Sequence, residues 1–252
     1  MSWFSLHKRG SIQAMARTAA VAVCMFVFAM ACGSSAQTNA PQRPSVGTIT
    51  FTRSLSNGNP PYYSLAIDSM GAASYKSFPF ADRKTGQPYT KEFPISPETR
   101  TRIFGLAEKL NYLLGSFEIS QSSLASSPTM SLAYRVDTTN RDIQYSSSKN
   151  PQINELTLLF QKIAATLECG RALQRLRTGH PAELEQELKQ MKAQSDDGGL
   201  LEVQVIAPVL KSIEEDSSVS AASRSYARDI LQRDRFTGRT ETAVSLNEYG
   251  CG

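Results

Sequence analysis

The dominant spacing of the apolar residues in this chain changes near Asn150, and that change limits what the chain can fold into more than any other feature. Before it they recur at every second residue, the spacing of a strand with one buried face. After it they recur every three or four residues, the spacing of an amphipathic helix. On the strand side, Ile49 and Phe51 alternate with threonines, Tyr63, Leu65 and Ile67 repeat the period, and Ala73 and Tyr75 continue it. Asn57-Gly58-Asn59-Pro60 and Asp68-Ser69-Met70-Gly71 read as the turns between them. Met130, Leu132, Tyr134 and Val136 alternate again, and Asp137-Thr138-Thr139-Asn140 turns the chain into Ile143 and Tyr145, which predicts a hairpin. Connections this short favour antiparallel pairing.

One helix is predicted inside this region. Ser96 is a good N-cap, Pro97 suits the first helical position and Glu98 suits the positive end of the helix dipole. Ile103, Ala107, Leu110 and Leu114 then share a face, and Gly115 reads as the stop. Beyond Asn150-Pro151, a second cap-and-proline start, the stripes follow one another. They are Leu156, Phe160, Ile163 and Leu167 up to Gly179; Leu184, Leu188 and Met191 after His180-Pro181; and Val203, Ile206, Leu210 and Ile213 after Asp196-Asp197-Gly198-Gly199, with Pro208 expected to kink that helix. Ser217 or Ser218 is expected to cap a fourth helix bearing Val219, Ala222, Tyr226 and Ile230. The predicted fold class is α+β: an antiparallel β-sheet with one covering helix over residues 47–149, followed by a C-terminal bundle of about four helices over 150–236. Residues 237–252 read as a tail in which Thr242, Val244 and Leu246 allow a final strand.

The first 46 residues carry a different kind of information. Lys8, Arg9 and Arg17 precede an almost wholly apolar run from Thr18 to Met30, and Ala29-Met30-Ala31-Cys32-Gly33 closes it with small residues. Charge, apolar core and small-residue cleavage site in that order predict a secretory signal peptide over residues 1–31. The run is about 13 to 15 residues against the roughly 20 of a membrane span. Cys32 directly after the cut resembles the lipobox of bacterial lipoproteins, which implies lipid attachment at Cys32, although Ala29 stands where Leu is usual. Cleavage after Ala31 or Ala36 without lipid is the alternative. Residues 32–46 are polar and aperiodic, and read as a flexible tether reaching roughly 20 Å.

Removal of residues 1–31 changes the charge argument. The chain has 27 basic and 23 acidic residues; losing Lys8, Arg9 and Arg17 leaves 24 against 23, so the basic excess that would favour nucleic acid mostly disappears. Of the four cysteines, Cys24 leaves with the leader, and Cys169 and Cys251 remain beside Cys32. An oxidising compartment allows those two to pair, while a buried Cys169 and a loose Cys251 in the tail is the plainer reading.

The segments ITFTRS…PPYYSLAIDSMGAASY and IAATLECGRALQRLR…LEVQVIAPVLKSIEEDSSV resemble a family of uncharacterised exported bacterial proteins and lipoproteins. The resemblance spans most of the chain after the leader and is one of pattern. It implies the fold and an envelope location, and no activity.

Motifs for chemistry are sparse. His180 is the single histidine after the leader, so neither a zinc pair nor a serine-histidine site is visible. Ser146-Ser147-Ser148-Lys149 and Lys84-Thr85-Gly86 match pieces of penicillin-recognising enzymes, but in the wrong order and on the wrong elements. Glu183, Glu185 and Glu187, and Glu214-Glu215-Asp216, read as solvated surface. Tyr62, Tyr63, Phe78, Phe80, Tyr89 and Phe93 would form a ligand face or fill the core. Arg171, Arg175 and Arg177, with Arg224, Arg228, Arg233 and Arg235, would meet acidic partners or lipid headgroups, or else pair with nearby acids.

The sequence therefore predicts an exported envelope protein, a lipid-anchored non-catalytic binding or structural module. It would lie on the outer side of the cytoplasmic membrane or in the outer membrane. The expected partners are the membrane, through lipid on Cys32, and an envelope protein or wall component; nucleic acid is not expected. No catalytic, cofactor-binding or metal-binding residue is assigned. Two alternatives stay open: a secreted or periplasmic hydrolase with an Asp/Glu/Ser site that carries no motif, and a soluble secreted binder without lipid.

Overall fold

The computed structural model describes residues 45–78, 87–122, 124 and 126–233. The leader, Cys32, Phe80, Lys84-Thr85-Gly86, Arg235, the strand expected at Thr242–Leu246 and Cys251 lie outside the described residues.

Six strands form one antiparallel sheet: β1 (Thr48–Ser54), β2 (Tyr62–Asp68), β3 (Ala72–Ser77), β4 (Tyr89–Pro94), β6 (Thr129–Val136) and β7 (Thr139–Tyr145). Their order is β4-β3-β2-β1-β6-β7. Two short strands, β5 (Ile119–Ser120) and β8 (Ser147–Ser148), pair separately. The register puts every predicted apolar set on one face. Tyr75, Leu65, Phe51, Leu132 and Ile143 form one row across the sheet, and Ser77, Tyr63, Arg53, Met130 and Tyr145 form the next. The opposite face carries small residues, with Ser74, Ala66, Thr50 and Ala133 in one row and Ser64, Thr52 and Ser131 in another.

Turn chemistry explains the register. Between β2 and β3, the Asp68 carboxylate accepts from the amides of Met70 and Ala72 at 2.9 and 2.8 Å, and Gly71 takes φ +98, which a side chain would resist. Spacing alone does not mark β4, because Lys91 stands between Tyr89 and Phe93 where the period calls for an apolar residue. It is one of the two edge strands, where charges and a terminal Pro94 are tolerated.

Helix α1 (Pro97–Lys109) starts as predicted, with the Ser96 hydroxyl accepting from the Thr99 amide. It stops earlier than Gly115. Asn111, Tyr112 and Leu113 take φ +47, +52 and +63, a left-handed turn that L-residues resist by about 1–2 kcal/mol each. Arg141 donates to the carbonyls of Asn111 and Tyr112, and the Tyr112 ring lies 4.7 Å from that of Tyr134, which together hold the turn.

The fold class is α+β. Helices α2 (Pro151–Leu176), α3 (Pro181–Asp196), α4 (Ala207–Glu214) and a last helix described over residues 221–233, α5, follow the sheet. Asn150 caps α2 through the Ile153 amide at 3.0 Å. Pro208 does not kink a long helix. Residues Val203–Val205 form a separate 3-10 turn, and Pro208 sits in the first turn of α4, where its missing N–H costs nothing. Ser220, rather than Ser217 or Ser218, caps α5, accepting from the Ser223 amide at 3.1 Å; Ser218 is engaged with Asp216.

Helix α2 is the structural pivot. Its first half, Ile153 to Leu167, packs with α1 on the inner face of the sheet, so two helices cover that face. Its last turns, Leu173 and Leu176, join a second core with Leu188, Met191, Leu210, Ile213 and Ile230 from α3, α4 and α5. At about 1.5 Å per residue this one helix runs some 39 Å and serves both cores. Among the described residues, no helix is long and apolar enough to cross a membrane.

Candidate functional site

Where α2 passes beneath the β1–β2 end of the sheet, a chamber of about 270 Å³ opens. Its walls are Arg53 and Tyr63 from the facing strands, Asn59 and Pro60 from their turn, Tyr75 from β3, and Gln161, Ala164, Ala165 and Glu168 from α2. The two alanines let the strand side chains approach the helix without filling the space between. Arg53 and Tyr63 are direct cross-strand partners, so both point to the same side of the sheet.

Glu168 organises one wall. Its Oε1 accepts from the Tyr75 hydroxyl at 2.9 Å and the Ser77 hydroxyl at 2.7 Å. Its Oε2 accepts from Arg171 Nε at 2.8 Å and faces Nη2 at 2.7 Å. A carboxylate offers about four lone-pair positions, and these contacts occupy all of them. Both ionic side chains are largely buried, at 16% and 15% exposure, so removing the carboxylate would leave a charge away from water, which costs far more than breaking a surface ion pair.

The tyrosines around this carboxylate are held protonated. Burial first, then the charge and hydrogen bond of Glu168, push the Tyr75 hydroxyl well above its ordinary range. Burial also raises Tyr63, with the neighbouring Arg53 charge opposing it. Further along the same row, burial pushes Tyr145 up to about 12, and its hydroxyl is paired with the Thr157 hydroxyl.

Arg53 stands apart from this saturation. Among the described residues its guanidinium has no acidic partner, and the Tyr63 hydroxyl meets no hydrogen-bond partner and is not sealed from solvent. A free cation and a free hydroxyl donor therefore face one chamber floored by Pro60, Ala164 and Ala165.

The residues singled out from sequence are otherwise dispersed. Tyr63 and Phe93 are buried in the core, Tyr89 packs against it, and Tyr62 and Phe78 pair at the rim with ring centroids 5.9 Å apart. Ser146 ends a strand, accepting from the Ser122 amide, and Lys149 is an exposed side chain near Glu118, so the serine-lysine match has no site geometry. His180 is half exposed at the start of α3, 3.4 Å from Glu183. Four of the arginines pair with acids, Arg171 with Glu168, Arg177 with Asp216, Arg228 with Glu214 and Arg233 with Asp196, while the Arg224 Nε is buried with no hydrogen-bond partner among the described residues. Burial, helped by Glu187, pushes the Cys169 thiol up to about 12, which leaves it a poor nucleophile. Among the described residues no group of three His, Cys, Asp or Glu side chains is placed to hold a metal.

Glu168 and Glu202 were not anticipated. Glu202 reaches from before the 3-10 turn to accept from the Ser96 amide and hydroxyl at 2.9 and 2.7 Å, tying the start of α1 to the helical half. A usable signal existed for Glu168: with Lys162 it is one of two charges in the run Leu156–Gly170. A lone acid on a buried helix face requires a partner.

A second hollow, about 730 Å³, lies over the outer face at Ala66, Ser74 and Glu92. It is an open depression, and the Asp68 carboxylate on its border is already engaged by its own turn. The chain matches no protein-family model and no curated protein.

Proposed function

We propose that this is an exported, lipid-anchored protein of the cell envelope whose folded part binds rather than converts its ligand. The export half of the reading rests on the order of charge, apolar run and small residues that ends at Cys32. The binding half rests on one observation: the acid of the chamber, Glu168, has every lone pair engaged by Tyr75, Ser77 and Arg171. A general base or nucleophile needs a free lone pair within reach of substrate. The tyrosines beside it stay protonated, and the Cys169 thiol stays neutral. What is left is a recognition surface: one cation, one hydroxyl donor, two amides and an apolar floor.

Anchoring is the part that fractionation reads. Cys32→Ser should move the protein from the membrane fraction to the soluble exported fraction, because two or three acyl chains hold a protein firmly and none would remain. An unchanged distribution would count against lipid at Cys32.

A further inference from the structure

The chamber beneath the β1–β2 turn also has a charge and a shape that restrict its ligand. This step rests on the binding reading above. Glu168 and Arg171 cancel, so the charge left facing the chamber is that of Arg53. A guanidinium presents a planar fork of donors that matches the two oxygens of a carboxylate. Tyr63, directly across the strand pair from Arg53, lines the same chamber and brings a further donor to it. Its hydroxyl remains protonated throughout the physiological range, so that donor is always present. The volume of about 270 Å³ lies just below the usual range for small-molecule sites, which excludes a nucleotide or an oligosaccharide as occupant. Pro60, Ala164 and Ala165 give the lining its apolar part.

We propose that the chamber takes a small organic monocarboxylate, its carboxylate held by Arg53 and Tyr63 and its short apolar body resting on Pro60, Ala164 and Ala165. A phosphate dianion suits the chamber less well. It would carry two charges against one free cation, while a monoanion is balanced by Arg53 alone.

The test uses the full chain purified in detergent, with benzoate as the probe and inorganic phosphate as the comparison, followed by ligand-observed NMR titration. Benzoate should bind saturably and phosphate should not. Arg53→Gln should weaken benzoate at least tenfold, and Tyr63→Phe about two- to tenfold, the scale of one hydrogen bond. Tyr63→Phe keeps the ring in place, so it remains informative if Arg53→Gln folds poorly. Absence of saturable benzoate binding, equal binding by Arg53→Gln, or tighter binding of phosphate than benzoate would each overturn the proposal. Any of those results would leave the anchoring at Cys32 to be judged on its own by fractionation and mass.

Discussion

Glu168 and Arg53 border the same chamber in opposite conditions. The carboxylate is fully engaged and joins α2 to β3; the guanidinium is left facing open space. The first condition is structural, and its loss should show in stability. Glu168→Ala would remove the acceptor shared by Ser77, which is fully buried, and the Tyr75 hydroxyl, together with the carboxylate paired to Arg171. We expect a loss of about 3 kcal/mol in urea unfolding. Ser77→Ala removes one neutral donor and should cost about 1 kcal/mol. A Glu168→Ala variant as stable as the parent would mean that the carboxylate does not hold the helix to the sheet. At this scale the sequence was least informative. Tyr63 and Tyr75 were placed on the inner face by their period, but the register that puts Arg53 opposite Tyr63 depends on how β1 and β2 meet, which spacing does not specify.

At the scale of elements, local chemistry was legible wherever a cap or turn residue decides a boundary. Ser96, Asn150 and Pro181 begin their helices as expected, and Gly71 closes its turn. It failed where tertiary contacts decide. The left-handed turn at Asn111–Leu113 is stabilised by Arg141 and Tyr134, both distant in sequence. The edge position of β4 excuses charges that elsewhere would disqualify a strand. Helix α2 gives the sharpest test of packing. A Cβ on Gly170 would overlap the Ile206 side chain, whereas one on Gly105 in α1 would meet nothing within 4 Å. Gly170→Ala should therefore destabilise by about 1–3 kcal/mol, despite the higher helix propensity of alanine, and Gly105→Ala should stabilise by up to about 1 kcal/mol. Denaturant unfolding of both variants checks the pair, with Ile206→Ala expected to restore part of the Gly170→Ala loss. Equal stabilisation by both alanines would refute the close approach of α2 to Ile206.

At the scale of the molecule, one covered sheet face, two cores sharing α2 and one polar chamber account for the burial pattern. The α+β class followed from the change of period near Asn150, since a period of two and a period of 3.6 bury different faces. The sharing of α2 did not follow, because a stripe shows that a helix is covered without showing by what. The proposed lipid on Cys32 is what would hold this fold at a membrane. The most direct measurement is the intact mass of the mature protein extracted from membranes. The expected result is a chain beginning at Cys32 and heavier than its sequence by two or three acyl chains. An unmodified chain beginning after Ala36 would contradict it.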